Sequence, residues 1–573
     1  MASDSMQTML MALGQSPAEI GRAAVQWVCT RRGRTMVVTI TMFIVLFGLM
    51  GLQNPGAISA YCPWRPYLPS VPSIIHSPLR TPSNTTLQLE SGEMDHVPFK
   101  LKKTTPNFHL IMPSSRDSDG FCKTTLSAML LNFPPPTVVG LNAAFESDEQ
   151  WERDTLNSTL HYLSNKKLVK DQDLVLIVAG QQSWFQLPSD IIVTQYKRLL
   201  EDANLRLLNK YGVNADGFQN FNQTIVFGAE KRCESDDRAC NYVPQSVLSD
   251  KIYGDKAGRR ISEVAAKFLN ARLVMGPADD LRVLFTAAMD KFNDGKSQSQ
   301  SLQSVFATLF GEQQLSRDVT EMKQRTGSKL KTFLMGGKNK STAEQRLEHA
   351  NMTLSNLTHY EFSIGLDYTH TLFQPLIYCA EDELLPLVHG NKTNPSQYPH
   401  TGPSTKSFSF PPALNETRPP FWRPDLINHN PSPNEKPAYI DALAVTPALD
   451  TLPDRKTSWS EIPLVQNTYT GATPAILFFK TGGDHAPPAN ISWDTLWYSA
   501  HRRALLRNYL RAPQSPTGYH DALVGGDRGW DVRGGRGGIW TEAEQIWLPW
   551  GEADGVCGSL EQIEDVLGDG MGD

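Results

Sequence analysis

Few side-chain patterns in this 573-residue chain carry chemistry by themselves. Asp171-Gln172-Asp173 is a literal D-x-D, the arrangement by which carboxylate oxygens hold a hard divalent cation. Glu230 leads into an acidic stretch with Glu234, Asp236 and Asp237, and Cys233 and Cys240 bracket that stretch. His359-Tyr360-Glu361 supplies two of the three ligands of a non-haem iron triad. Val388-His389-Gly390-Asn391 places a histidine before a glycine, and Arg533–Gly538 is an RGG-type stretch of the kind that contacts single-stranded RNA. No G-x-S-x-G, phosphate-binding G-x-x-x-x-G-K-[ST], H-E-x-x-H or C-x-x-C occurs. Each of these patterns also has a plain reading: a solvated strand entry, a charged loop closed by a disulfide, an exposed pair, a chance match and a flexible loop. A net charge of −6 argues against a nucleic-acid partner.

Which residues meet depends on the elements that carry them. Apolar runs predict strands at Phe108–Met112, Thr137–Leu141, Leu174–Val178, Thr224–Phe227, Leu273–Met275 and Ala475–Phe479. Helical patterns predict helices at Asp119–Asn132, Trp151–Lys166, Pro188–Tyr211, Ile261–Asn270, Asp279–Phe292 and from about Trp493 to Arg511. Leu174–Val178 reads LVLIV, without alternation, as expected of a strand buried on both faces. Strands alternating with helices predict an α/β domain with a mostly parallel sheet. In such sheets ligands bind beyond the C-terminal strand ends, which selects Pro113–Asp119, Ala179–Gln182, Gly228–Asp237 and the region after Met275. By the same rule the D-x-D stands at the wrong end, because five residues at about 3.3 Å put it roughly 17 Å from that edge.

The N-terminal part predicts a membrane anchor. Met36–Leu52 is an uncharged run, and its 17 residues span roughly 26 Å as a helix, which suits the thinner early secretory membranes. Four Arg against Asp4 and Glu19 before the run keep the N-terminus cytosolic, a type II orientation. The expected organisation is a cytosolic tail at 1–35, the transmembrane helix at 36–52 and a Pro-rich stem at 53–106. A lumenal domain follows at 107–390, a Pro/Asn-rich surface insertion at 391–437, and a part completing the domain at 438–573. Sequons at Asn84, Asn157, Asn222, Asn339, Asn351, Asn356, Asn391, Asn415 and Asn490 all follow the anchor, as a lumenal surface requires. Cys62, Cys122, Cys233, Cys240, Cys379 and Cys557 are then in an oxidising compartment, and the short loop makes Cys233–Cys240 the expected disulfide.

An ordered series of segments carries a family resemblance. It runs Ser115-Arg-Asp-Ser-Asp-Gly120-Phe121, Asp173–Val178 with Trp184-Phe185, Ile225–Glu230 with Cys233, Phe268-Leu-Asn270 with Met275-Gly276, Phe310–Gln313 and Ile364–Tyr368. The series resembles the glycosyltransferase domains of procollagen lysyl hydroxylases and collagen galactosyltransferases, and more closely their fungal type II membrane relatives. It covers roughly residues 107–380, with a return at Pro474–Asp484. The resemblance implies a GT-A-like, Rossmann-related fold, a UDP-sugar donor, a glycan or glycoprotein acceptor and a divalent metal, usually manganese. Carried over by position, the nucleotide-sugar site comprises Ser114, Ser115, Asp119, Ala179, Gly180, Gln181, Gln182, Glu230, Asn270, Arg272 and Asp367.

The metal's expected carboxylates belong in the loop after the central strand, and here that loop is Ala179-Gly180-Gln181-Gln182. Ser301-Leu302-Gln303 stands where the family has Ser-Asp-Gln, and its late metal-binding His falls near Phe478. The expectation is therefore a metal site without its ligands, with Arg272 able to neutralise a diphosphate in part of the metal's place. Three functions follow: a transferase working without the usual metal, a catalytically silent homologue that binds sugar nucleotide or glycan, or a lumenal partner subunit of an active transferase. The Golgi or endoplasmic reticulum membrane is the expected location.

Overall fold

In a computed structural model of the chain, the described residues are most of 107–293, 301–327, 360–389, 410–421, 452–480, 490–511 and 537–568. The sheet that organises them is built around β3 (Leu174–Val178), whose five residues are all buried. Leu174, Leu176 and Val178 enter one apolar core, while Val175 and Ile177 enter the other. This two-sided burial is why the run shows no polar alternation.

β1 (Phe108–Pro113) pairs with β3 in parallel, and β2 (Thr137–Val139) pairs with β1 in parallel. On the other side β6 (Phe268–Pro277) runs antiparallel to both β3 and β5 (Ile225–Glu230), and β7 (Ile364–Asp367) is parallel to β5. Late in the chain, β12 (Gly538–Thr541) adds to β2 in parallel and β13 (Trp547–Pro549) closes that side antiparallel. The order is β13-β12-β2-β1-β3-β6-β5-β7, with four of the seven pairings parallel. A three-stranded sheet joins β4 (Ser183–Phe185), β11 (Ile476–Phe478) and β8 (Phe373–Pro375). A two-stranded one joins β9 (Leu384–Leu387) to β10 (Leu464–Asn467).

Helices cover both faces of the large sheet. α1 (Asp119–Leu130) and α3 (Ser189–Tyr211) pack in one core. α2 (Asp148–Ser164), α4 (Ala278–Asn293) and α5 (Leu302–Gly327) pack in the other. α1 starts where it does because Ser118 caps it, its side chain accepting from Phe121 N. The α/β class with a mostly parallel sheet flanked by helices is therefore observed.

Several expected elements differ. The helix expected at Ile261–Asn270 is a single 3-10 turn, Ile261–Glu263, and β6 begins at Phe268 as one ten-residue strand. Lys267 N donates to Glu230 O, so the partner strand takes the backbone bonds that a helix would use internally. Between Trp493 and Arg511 two 3-10 turns precede α7 (Arg502–Arg511), where one helix was expected. Part of the expected surface insertion is docked: Ala413 and Leu414 of the one-turn α6 (Pro412–Asn415) and Phe421 are buried in the first core. Among the described residues no helix is long and apolar enough to cross a membrane, and Met36–Leu52 and the stem lie outside them.

The C-terminal segment is tied to the first helix. Cys122 on α1 forms a disulfide with Cys557 across a separation of 435 residues. α8 (Leu560–Leu567) follows, with Asp565 paired to Lys123 at 2.7 Å. Trp550 Nε1 donates to Thr125 Oγ1 at 3.1 Å. This pairing was not anticipated. Cys233 is also disulfide-bonded, while its expected partner Cys240 lies outside the described residues. Closing so long a loop restricts the unfolded chain strongly, so Cys557→Ser should lower unfolding free energy by about 2–5 kcal/mol. Denaturant unfolding measures that loss, and a non-reduced digest should contain the peptides of Cys122 and Cys557 joined.

Candidate functional site

β1, β2, β3, β5 and β7 all end at one edge of the sheet, and antiparallel β6 begins there. Backbone bonds hold the loops side by side. Ser114 N donates to Val139 O (3.0 Å), Gly180 N to Pro113 O (3.0 Å) and Ala179 N to Arg272 O (3.1 Å). Two glycines permit the approach. A Cβ on Gly120 would lie 2.5 Å from Gln181 O, and one on Gly180 would lie 2.9 Å from Pro113 O. The start of α1 is thereby pressed onto the loop after β3.

Most of the expected site residues meet along this edge. Gln181 Nε2 donates to Ser114 Oγ (3.1 Å). Arg272 Nη1 donates to Gln182 Oε1 (3.2 Å), Arg272 N donates to Asn270 Oδ1 (2.8 Å), and Asn270 Nδ2 donates to Glu230 Oε1 (2.5 Å). A polar row thus runs Gln182–Arg272–Asn270–Glu230. Arg272 and Asp119 are exposed, Ser115 is half-buried and its carbonyl accepts from Asn142 N, and Glu230 is buried.

Asp367 stands at the end of β7 and does not join the row. It is fully buried and accepts from the backbone N–H groups of Thr371 (3.0 Å), Leu372 (2.6 Å) and Phe373 (2.9 Å), so it caps the turn into β8. Burial pushes its carboxyl up, while His370 and those amides pull the other way.

Sequence reasoning gave no individual role to three neighbours of the edge. Glu152 on α2 accepts from Leu302 N at 2.7 Å. Burial raises its carboxyl, against the pull of that amide and of the Arg272 charge. Asp117 accepts from Cys557 N at 2.8 Å, and burial raises it too. Glu383, next to β9, forms a buried ion pair with Lys231 and also accepts from Tyr253 Oη (3.1 Å), Ala380 N (2.9 Å) and Asn467 Nδ2 (3.2 Å). No local motif marks Glu152 or Glu383, and Asp117, although it falls within the selected loop Pro113–Asp119, gains its partner Cys557 from a distant segment.

Among the described residues, the loop after β3 offers a divalent cation no carboxylate. It presents amides, and Arg272 brings a positive charge to the same place. Among the described residues one group of potential ligands clusters, Asp117 with Cys122 and Cys557, and both sulfurs are spent in the disulfide. Glu234, Asp236 and Asp237 lie outside the described residues.

The D-x-D proves to be two different residues. Asp171 is exposed and pairs with Arg282 (2.5 Å) and Lys166 (3.4 Å), as a solvated strand entry should. Asp173 is buried instead. It accepts from Asn107 N (2.9 Å) and Lys170 N (2.8 Å) and lies 3.0 Å from His109 Nε2, whose Nδ1 meets Tyr162 Oη (3.2 Å). A carboxylate with this many donors is a fastener between β1 and β3.

No family model matches the chain. A glutamate N-acetyltransferase of Methanopyrus kandleri is 25% identical over 142 residues, which is 24% of this chain and 35% of that protein. The chain thus spans about a third of that relative's length, and the likeness carries no activity across.

Burial raises the Asp173 carboxyl, but the bonds from His109, Lys170 and Asn107 outweigh it and hold it below its ordinary value. A lowered carboxylate stabilises the fold fully above its unfolded value near 4 and loses that contribution as pH falls through the lower folded value. Asp173→Asn should therefore cost on the order of 3 kcal/mol at neutral pH. It should also remove part of the rise in stability with pH below about 4. Urea unfolding of both proteins between about pH 2.5 and 7 checks both effects.

Proposed function

We propose that this chain is a type II membrane glycosyltransferase-like protein of the early secretory pathway, whose lumenal GT-A-like domain holds the diphosphate of a UDP-sugar without metal. The observation that carries the reading is the Arg272–Gln182 contact. It puts an exposed guanidinium against the loop after β3, where the resemblance calls for metal-binding carboxylates. A guanidinium offers a fixed fork of donors to phosphate oxygens and keeps its charge at every physiological pH. Ser114, Gln181 and the start of α1 border the same edge, and helix N-termini favour anions. Met36–Leu52 is the anchor in this reading, and the Golgi or endoplasmic reticulum membrane is the location.

Binding without transfer is a second reading, and one observation favours it. Glu230 and Asp367 are buried and engaged by Asn270 and by backbone amides, so neither is free to take a proton from an acceptor hydroxyl. Asp119, exposed at the start of α1, is the remaining carboxylate of the expected set. A role as lumenal partner subunit needs no nucleotide at all.

Thermal unfolding of the detergent-solubilised full chain separates these readings. UDP at about 100 times its Kd should add about 2.7 kcal/mol in the presence of EDTA. Arg272→Ala should weaken UDP binding about 10- to 100-fold, the range of one charge-assisted phosphate contact. Stabilisation that appears with manganese and vanishes with EDTA refutes the metal-free site, and no stabilisation under either condition leaves the partner-subunit reading. Release of sugar from UDP-sugar that Asp119→Asn abolishes would distinguish transfer from silent binding.

Lumenal exposure also predicts where glycans attach. Asn157 and Asn415 are exposed, whereas the Asn490 side-chain amide donates to Leu384 O at 2.7 Å. Glycopeptide mass spectrometry should find Asn157 and Asn415 occupied and Asn490 occupied least of the three. Bare asparagine at both exposed sites would contradict a lumenal domain.

A further inference from the structure

The loop after β1 is held from two sides. On the sheet side, Gln181 Nε2 donates to Ser114 Oγ (3.1 Å) and to Arg116 O (3.4 Å). On the other side stands the C-terminal segment, reached through Asp117. Cys557 N donates to Asp117 Oδ2 at 2.8 Å, and Gln562 Nε2, in the first turn of α8, donates to Asp117 Oδ1 at 3.3 Å. The same Oδ1 lies 3.3 Å from Cys122 Sγ and 3.5 Å from Cys557 Sγ. This half-buried carboxylate thus has both oxygens committed to residues 440 and 445 positions away.

Cys557 itself is held in a costly backbone state. Its φ is +55°, in the left-handed region that residues with a Cβ avoid. Such a conformation persists only where surrounding bonds over-determine it. Here those bonds are the disulfide to Cys122, the amide given to Asp117 and the neighbouring bond from Val556 N to Pro549 O (2.9 Å). Breaking the disulfide removes the covalent member of that set. Cys557 can then relax to an ordinary φ, and its N–H leaves Asp117. The rest of the segment has ties of its own. Val566 and Leu567 stay buried in the first core, Arg502 Nη1 donates to Val566 O (3.1 Å), and Trp550 donates to Thr125. What is released is therefore local to Asp117 and its loop.

We propose that the Cys122–Cys557 bond is a redox latch on the loop after β1. Oxidised, it fixes Asp117 and keeps the loop at 114–119, with the start of α1, against Gln181. Reduced, it frees the loop, and binding at the sheet edge weakens. A dithiol supplies the two electrons and two protons: the S–S bond breaks, two thiols form, and the dithiol closes to a cyclic disulfide. Both cysteines are buried, so exchange waits on opening of the segment, and a ligand that needs the loop in place slows it. The effect on binding rests on the nucleotide reading above; the effect on the loop does not.

Hydrogen exchange of the detergent-solubilised full chain, read by mass spectrometry, tests the latch. Cys233 is also disulfide-bonded, so the double variant Cys122→Ser/Cys557→Ser isolates this bond where a reductant would not. In that variant the amides at 115–120 should exchange roughly 10-fold faster or more, while those of β3 and α3 keep their wild-type rates. Asp117→Ala, with the disulfide intact, should speed the same amides by a similar factor. In the wild type, dithiothreitol should raise exchange at 115–120 and reoxidation should restore it. Unchanged exchange in the loop of the double variant would overturn the proposal. Faster exchange throughout β3 and α3 would make the bond a fastener of the whole domain, and would overturn it as well. Should the double variant fail to fold, Asp117→Ala decides: a loop that exchanges at the wild-type rate there refutes the latch. UDP should bind the oxidised wild type about 10-fold tighter than the double variant. Equal affinities would overturn the control of binding. No UDP binding to either protein refutes the nucleotide reading, and the exchange rates then decide the latch alone.

Discussion

The reversed direction of β6 is the constraint on which the candidate site depends. A strand antiparallel to both β3 and β5 delivers its first residues, not its last, to the edge where its neighbours end. Asn270 and Arg272 meet Gln182 and Glu230 for that reason alone. Had β6 run parallel, the same residues would stand at the far edge, beside Asp173 and His109. The pairing of β6 with β5 is also irregular, with a register shift between Phe227 and Gly228. A Cβ on Gly228 would lie 3.1 Å from Leu273 Cδ1, so glycine lets the two strands close up where the shift occurs.

Legibility followed the range of the forces involved. Leu174–Val178 was readable because its burial is written in five consecutive residues. α2, α3 and α4 were readable to within a few residues because an amphipathic period repeats over several turns. The segment from Ile261 to Asn270 misled because its residues favour a helix locally, whereas its backbone is claimed by β5 across more than thirty positions. The Cys122–Cys557 bond was invisible for the same reason on a larger scale. A short polar loop suggests a disulfide by proximity, but two cysteines 435 residues apart become neighbours only through the fold.

The candidate site was legible in its positions more than in its chemistry. The rule that ligands sit at strand ends selected Ser114 and Ala179–Gln182, and these do lie together. Which side chains would be spent on structure could not be read from their types. Asp173 and Asp367 are acids in apolar surroundings, and nothing beside them in sequence announces that three backbone amides or a histidine will take up their oxygens.

Asp119 apart, the acids near the edge share one physical role. Glu230 receives Asn270, Asp367 receives three amides, Glu152 receives the first amide of α5, and Glu383 receives Lys231, Tyr253 and Asn467. Each is an acceptor that satisfies buried donors, and turning any one toward a cation would strand those donors without a partner. Leaving a buried donor unpaired costs about 1–3 kcal/mol each, so Asp367 could lose several times that by releasing its turn. A metal would have to repay this before binding at all. Arg272 requires no such exchange. It lies at the surface of the same edge with its guanidinium contacting a neutral amide, and an arriving anion gains a charge-assisted bond without dismantling any interaction that holds the sheet together.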